Sequence, residues 1–230
     1  MSKQIFGLIP AAGVGTRMRA DRPKQYLSLG SQTLLERSIE SLLADARVAR
    51  TYVVVARDDA VAASLALPAR CEILVAGGAT RAESVRNGLR VIQSIAGADD
   101  WVLVHDAARP CLQAAELTAL IDGVGRDEHG GLLAVPLSDT VKRAHEGRVA
   151  QTVERTGLWR ALTPQFFRID VLNRALDQCP NIALATDEAA AVELLGLYPR
   201  LIEGSVANIK VTTPADMLLA EAILRQQGRW

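Results

Sequence analysis

A mostly parallel, Rossmann-like α/β sheet flanked by helices is the fold this 230-residue chain predicts, on three observations. Apolar runs of strand length recur along it. They are continuous rather than alternating, the mark of strands buried on both faces of a parallel sheet. Between them lie segments with helical periodicity and recognisable start signals, so strand and helix alternate through short connections.

In chain order, the first strand is 5–10, closing at Pro10. Thr33-Leu-Leu-Glu36 reads as a capping box opening a helix through Ala44, since a hydroxyl and a carboxylate three residues apart satisfy each other's backbone N–H. Strands follow at 52–56 and 71–76, and Thr80-Arg-Ala-Glu83 opens a second helix to about Ser94. Strands at 101–105 and 131–136 come next. Thr213-Pro214-Ala-Asp216, with proline at the first helical position, starts the closing helix. One stretch breaks the rhythm. Residues 137–164 alternate polar and β-branched side chains about a turn at His145-Glu-Gly147, so Thr140-Val-Lys-Arg and Val149-Ala-Gln-Thr-Val read as a two-stranded ribbon. A lone hairpin is marginally stable in water. It packs on its own domain or on another subunit, or it is a surface flap. No repeat or linker is visible, so 1–230 is expected to be a single domain with the ribbon inside it and no fused second enzyme after Trp230.

Composition narrows the function. Hydrophobic residues make up 49%, which excludes a disordered chain. The 26 Lys plus Arg match 26 Asp plus Glu, which argues against a general nucleic-acid binder and for a small-molecule partner. Aromatics are only 4%, so recognition depends little on stacking. Cys71, Cys111 and Cys179 are dispersed, form no CxxC pair and fit no zinc spacing, which points to the reducing cytoplasm. The N-terminal apolar stretch stops at Pro10, too short for a signal peptide, and no later segment suggests a membrane span.

The chemistry gathers after the first strand, in Pro10-Ala11-Ala12-Gly13-Val-Gly15-Thr-Arg17-Met18 and Pro23-Lys24-Gln25. A glycine-rich loop there lets backbone N–H groups approach an anion. The spacing is not Walker A, and Met18 stands where the dinucleotide fingerprint needs its third glycine. Two cations, Arg17 and Lys24, within and just beyond the loop suit a polyphosphate whose negative charge grows during reaction.

That string resembles the nucleotide-binding signature of the cytidylyltransferases, in particular the 2-C-methyl-D-erythritol 4-phosphate cytidylyltransferases of the non-mevalonate isoprenoid pathway. Further matches run along the chain: Gly77-Gly78-Ala-Thr-Arg81-Ala-Glu-Ser84-Val85, His105-Asp106-Ala107-Ala-Arg109-Pro110, Asp139-Thr140-Val-Lys142, Arg155, Leu162-Thr163-Pro164-Gln165, Thr186-Asp187-Glu188 and Asn208-Ile-Lys210-Val-Thr. The resemblance implies transfer of a cytidylyl group from CTP to methylerythritol phosphate, with release of pyrophosphate. It implies a catalytic set of Arg17, Lys24, Arg155 and Lys210. CTP would meet Ala11, Ala12, Gly13, Gly15, Gly78, Arg81, Ser84 and Ala107, with Ser84 reading the exocyclic amine of the base. The acceptor phosphate would meet Arg109, Thr140, Thr163 and Thr186. Asp106, at the end of a buried strand, would hold Mg²⁺ directly or through water. The ribbon would cross to a second subunit, so that a homodimer forms and Arg155 completes the neighbour's site.

Two rival readings stay in view. One is a cytidylyltransferase for ribitol or glycerol phosphate; the Ala107-Ala108 pair favours methylerythritol phosphate over it. The other is a non-catalytic nucleotide-binding regulator, against which the joint presence of Arg17, Lys24, Asp106, Arg155 and Lys210 argues. His105 reads as a structural hydrogen-bonder rather than a base.

Overall fold

The computed structural model describes residues 3–13, 15, 18, 22–97, 99–182 and 185–230. Strands β1 (Ile5–Pro10), β4 (Val48–Val55), β5 (Cys71–Val75), β6 (Trp101–Val104), β7 (Gly131–Pro136), β10 (Trp159–Arg168) and β11 (Arg200–Glu203) form a seven-stranded sheet in the order β11-β7-β10-β6-β1-β4-β5. Every pairing is parallel except those of β10, which runs antiparallel to both β6 and β7. The continuous apolar runs are central strands, and Val102, Leu103 and Val104 are wholly buried.

Helices cover both faces. α1 (Leu34–Leu43) and α3 (Ala114–Val124) pack Leu35, Ile39, Leu117 and Leu120 with Ile5 and Ile9 on one side. On the other, α2 (Arg81–Gln93), α4 (Ile169–Gln178) and α5 (Glu188–Glu193) pack Val85, Leu89, Leu172 and Val192 against Phe6 and Leu8. α6 (Pro214–Gln226) closes a smaller core with Leu29, Leu34 and Val211.

The predicted caps form. Thr33 Oγ1 accepts the Glu36 N–H at 3.2 Å while Glu36 accepts the Thr33 N–H at 2.7 Å. Thr80 and Glu83 repeat the exchange at 3.1 and 3.3 Å. Before α6, the Asp216 carboxylate accepts the Thr213 N–H at 2.8 Å and the Thr212 N–H at 2.9 Å.

Two differences from the sequence reading matter. β4 begins at Val48 rather than 52, because Arg50 and Thr51 interrupt its apolar run after the buried Val48. The span 137–164 is wider than the free ribbon. Only β8 (Val141–His145) and β9 (Arg148–Val153) form the separate two-stranded sheet, whereas 159–164 already belong to β10. Pro164 lies in the register break between Ala161 and Gln165, where it need not donate to the ladder. The base of the ribbon is pinned by the Leu137 N–H on the Leu158 carbonyl at 3.0 Å.

Candidate active site

The carboxyl ends of β1 and β6 and the chain entering α2 enclose a cavity of about 210 Å³, where parallel sheets present ligand-binding groups. Ala11, Ala12, Gly13, Gly15, Lys24, Gly78, Arg81, Ser84, Asp106, Ala107 and Lys210 line it, which unites most of the residues expected at CTP. Gly15 has φ +67°, and a Cβ there would lie 2.7 Å from the Lys24 side chain, so only glycine lets the Lys24 stem cross the loop. Lys24 Nζ donates to the Val211 carbonyl at 3.0 Å. Gln25 is buried and donates to the Ala11 carbonyl at 2.6 Å, tying the loop to the 3-10 turn at Lys24–Tyr26. Tyr26 fixes that turn by donating to Asp59 at 2.7 Å, and burial, then Asp59, pushes its phenol well above the usual range. Arg17 lies outside the described residues.

Asp106 is the acidic group on this wall and sits among three cations. It accepts from Arg81 Nε at 3.0 Å and from Lys210 Nζ at 2.9 Å, with Arg109 Nε at 3.5 Å. Burial works against its charge, but Arg81, Lys210 and Arg109 outweigh it, so the carboxyl stays far below the usual range and is ionised. Arg81 also grips Glu188 with both terminal nitrogens, at 2.7 and 3.2 Å, and the Glu188 side chain is 1% exposed. Burial opposes the guanidinium charge, and Glu188 followed by Asp106 more than restores it. Arg81 thus organises the two carboxylates while lining the cavity expected for the nucleotide.

A second cavity, of about 160 Å³, adjoins the first and shares Arg81, Asp106 and Lys210 with it. Arg109, Ala161, Leu162, Thr163, Gln165, Thr186 and Asp187 complete its lining. Arg109 is buried, donates Nη1 to the Asn208 carbonyl at 2.7 Å, and keeps a buried Nε without a hydrogen bond. Burial lowers its pKa from the ordinary arginine value. Gln165 spans β10 and α5, donating to Asp187 at 2.9 Å and accepting the Ala189 N–H at 2.8 Å. His105 is wholly buried, and that burial pushes its pKa down to about 4. Its ring is neutral near pH 7.

Two hydroxyls expected at the substrates line the cavities and also bond within the chain. Ser84 donates to the Thr80 carbonyl and accepts the Gly78 N–H, both at 3.0 Å, and so shapes the loop at the first cavity. Thr163 accepts the Asp106 N–H and contacts His105 Nδ1, again both at 3.0 Å, so it holds Asp106 at the wall of the second cavity. Thr186 is exposed and lines the second cavity. Thr140 and Arg155 line neither cavity of their own chain; Arg155 is exposed and donates to the Ser138 carbonyl at the ribbon base. Sequence reasoning assigned no role to Glu188, Gln165 or Asn208, whose partners are distant in sequence.

Among the described residues, no group of three or more His, Cys, Asp or Glu is arranged to hold a metal by itself. One ionised carboxylate beside a phosphate-sized cavity is nevertheless the donor set with which a protein holds Mg²⁺ that arrives on a nucleotide, phosphates and waters supplying the rest. The donor chemistry of Asp106 fits, with Lys210 as the 39%-exposed, movable partner that a metal would displace.

Known proteins are similar to this chain in sequence and fold. A protein of Laribacter hongkongensis called 2-C-methyl-D-erythritol 4-phosphate cytidylyltransferase is 56% identical over 224 residues, 96% of each chain. Its namesake from Dechloromonas aromatica is 49% identical over 96% of this chain and 97% of its own. The crystal structure of a 4-diphosphocytidyl-2C-methyl-D-erythritol synthase superposes with TM-score 0.86 at 42% identity, covering 97% of this chain and 99% of that one. The Francisella tularensis 2-C-methyl-D-erythritol 4-phosphate cytidylyltransferase gives 0.83 at 34%, over 96% and 100%. Residues 5–226 match the family described as IspD: 2-C-methyl-D-erythritol 4-phosphate cytidylyltransferase, and the chain belongs to that family.

Proposed function

We propose that this protein transfers the cytidylyl group of CTP to 2-C-methyl-D-erythritol 4-phosphate, giving 4-diphosphocytidyl-2-C-methyl-D-erythritol and pyrophosphate. The observation that carries the reading is the pair of adjoining cavities with Asp106, Arg81 and Lys210 on their common wall. One suits a nucleotide on the glycine loop, the other a small phosphate beside Arg109.

An acceptor phosphate oxygen attacks the α-phosphorus. A P–O bond forms, the bond to the β-phosphate oxygen breaks, and the electron pair leaves on pyrophosphate. The attacking monoester has a second pKa of about 6 and is largely dianionic at neutral pH, so no general base is needed. This agrees with a site whose histidine is buried between two hydrogen bonds. The difficulty is to bring two anions together and stabilise the charge that builds on the phosphoryl oxygens. Lys24, with Arg17, supplies positive charge at the triphosphate, while Arg109, Lys210 and Thr186 hold the acceptor. Mg²⁺, held by Asp106 and the triphosphate, would supply further charge neutralisation. Arg155 acts on the site of a neighbouring subunit in a homodimer joined by the ribbon. In support, β8 and β9 pair only with each other and are almost wholly exposed in one chain. We place the enzyme in the cytoplasm, where its three free thiols stay reduced. Among the described residues no helix is long and apolar enough to cross a membrane.

Pyrophosphate release from CTP, measured with methylerythritol, ribitol and glycerol phosphates in turn, tests the reading. Selective turnover of the first supports it. Preference for either other acceptor, or no turnover at all, overturns it. Asp106→Asn in the same assay is expected to raise the Mg²⁺ requirement without unfolding the protein.

A further inference from the structure

No reaction step uses His105, yet its ring sits where the two charged arms of the site meet. Its Nε2 is 3.1 Å from the Arg109 carbonyl and its Nδ1 is 3.0 Å from Thr163 Oγ1. A carbonyl only accepts, so Nε2 carries the proton and Nδ1 is left as an acceptor. Thr163 therefore donates its hydroxyl proton to the ring, which leaves Oγ1 free to accept the Asp106 N–H at 3.0 Å. One imidazole thus holds the carbonyl at one end of the 106–109 turn and, through Thr163, the amide at the other. The turn is closed by the Arg109 N–H on the Asp106 carbonyl at 3.1 Å. Asn208 braces the same unit, donating to the Thr163 carbonyl at 2.9 Å and accepting Arg109 Nη1 on its own carbonyl at 2.7 Å.

We propose that His105 is a positioning residue: by bonding the Arg109 carbonyl directly and the Asp106 amide through Thr163, it aims Asp106 at the nucleotide and Arg109 at the acceptor. The inference rests on the function proposed above. His105 lines neither cavity, so it does not touch substrate and acts only through these two residues. Each of its two hydrogen bonds serves one substrate, and the bonds can be separated.

An asparagine amide reaches the place of Nδ1 and a glutamine amide the place of Nε2. His105→Asn therefore keeps the link to Thr163 and loses the Arg109 carbonyl, whereas His105→Gln does the reverse. For His105→Asn, KM for methylerythritol phosphate is expected to rise on the order of 10- to 100-fold, the scale for losing an outer partner of a ligand, with KM for CTP within about twofold. For His105→Gln, kcat and the Mg²⁺-CTP dependence should worsen on that scale while the acceptor KM stays within about threefold. Equal loss on both substrate sides in both variants, or no loss in either, overturns the proposal. Thr163→Val removes the relaying hydroxyl and stands in for His105→Gln where that variant does not fold. A ¹⁵N-imidazole spectrum of the wild-type protein needs no turnover. It should show a neutral ring protonated at Nε2 only, and protonation at Nδ1 overturns the proposal whatever acceptor the enzyme takes. If wild type turns over none of the acceptors while the spectrum shows the expected tautomer, the functional reading fails and the geometry of the ring stands.

Discussion

Glu188→Gln removes the charge of the more deeply buried of the site's two paired carboxylates. Glu188 receives Arg81 through two bonds, and its side chain is 1% exposed. Breaking a buried pair by removing one partner costs about 3–5 kcal/mol, because the other charge is left uncompensated. Here Arg81 keeps Asp106 and is 29% exposed, so the cost should fall at the low end, about 3 kcal/mol. At about 2–4 °C per kcal/mol for a chain of this size, the melting temperature should drop by about 6–12 °C. The charge of the cluster changes as well. Arg81, Arg109 and Lys210 against Asp106 and Glu188 give 3 − 2 = +1, and the variant gives 3 − 1 = +2. The variant should therefore bind CTP at least as well as wild type while melting earlier. Calorimetry on wild type, Glu188→Gln, Arg81→Met and the double variant isolates the pair. The double variant should be cheaper than the sum of the singles, by a coupling of at least about 1.5 kcal/mol. Additivity within about 0.5 kcal/mol would refute the reasoning, since the contact would then carry no energy of its own.

Lys24→Ala is expected to lower turnover on the order of 10²-fold with a much smaller change in CTP affinity, because its charge is needed as the bond forms. Single-turnover kinetics with separately measured CTP binding checks this, and a change in KM alone would make Lys24 a mere binding residue. Mixing inactive Arg155→Ala with inactive Lys24→Ala under demonstrated subunit exchange should restore roughly a quarter of wild-type activity, since half the dimers are mixed and each has one intact site. Exchange without rescue would sink the shared-site arrangement. Asp45 is held down to about 2, first by the Arg47 side chain, so its stabilising contribution is complete above about pH 4 and is lost as pH falls towards 2. Asp45→Asn should flatten that acid limb of the stability curve, and an unchanged limb in urea titrations would assign it to other carboxylates.

What the sequence made legible was local. Thr33 with Glu36 and Thr80 with Glu83 announce their helices because both partners of each cap lie within one turn of chain. β1 and β7 are readable to the residue, as buried parallel strands must be apolar throughout. β10 was hidden by its own composition. Its Thr163 and Gln165 are polar because they serve the site, and Pro164 argues against any central strand. The site residues that escaped notice share one trait. Glu188 meets Arg81 across 107 positions, and Asn208 meets Arg109 across 99, distances over which spacing carries no signal. Ser84 and Thr163 were recognised as important, but a hydroxyl's direction is set by its neighbours and cannot be read from its type.

The strand order also dictates a sequence of folding events. β1, β4, β5 and β6 are mutual neighbours drawn from the first half of the chain, so that parallel half of the sheet can assemble as soon as β6 exists. β7 cannot join it, because its place beside β6 is reserved for β10, which is made later. β10 pairs antiparallel with β7 and, nested between them, β8 with β9, with Pro136 paired to Trp159 at the base, so this stretch can close on itself as a long hairpin of low contact order. Docking of that hairpin along β6 is the event that brings Thr163 to Asp106. That long-range step in building the sheet is therefore also a step that assembles the site, and a chain stalled before it would hold Asp106 without Thr163.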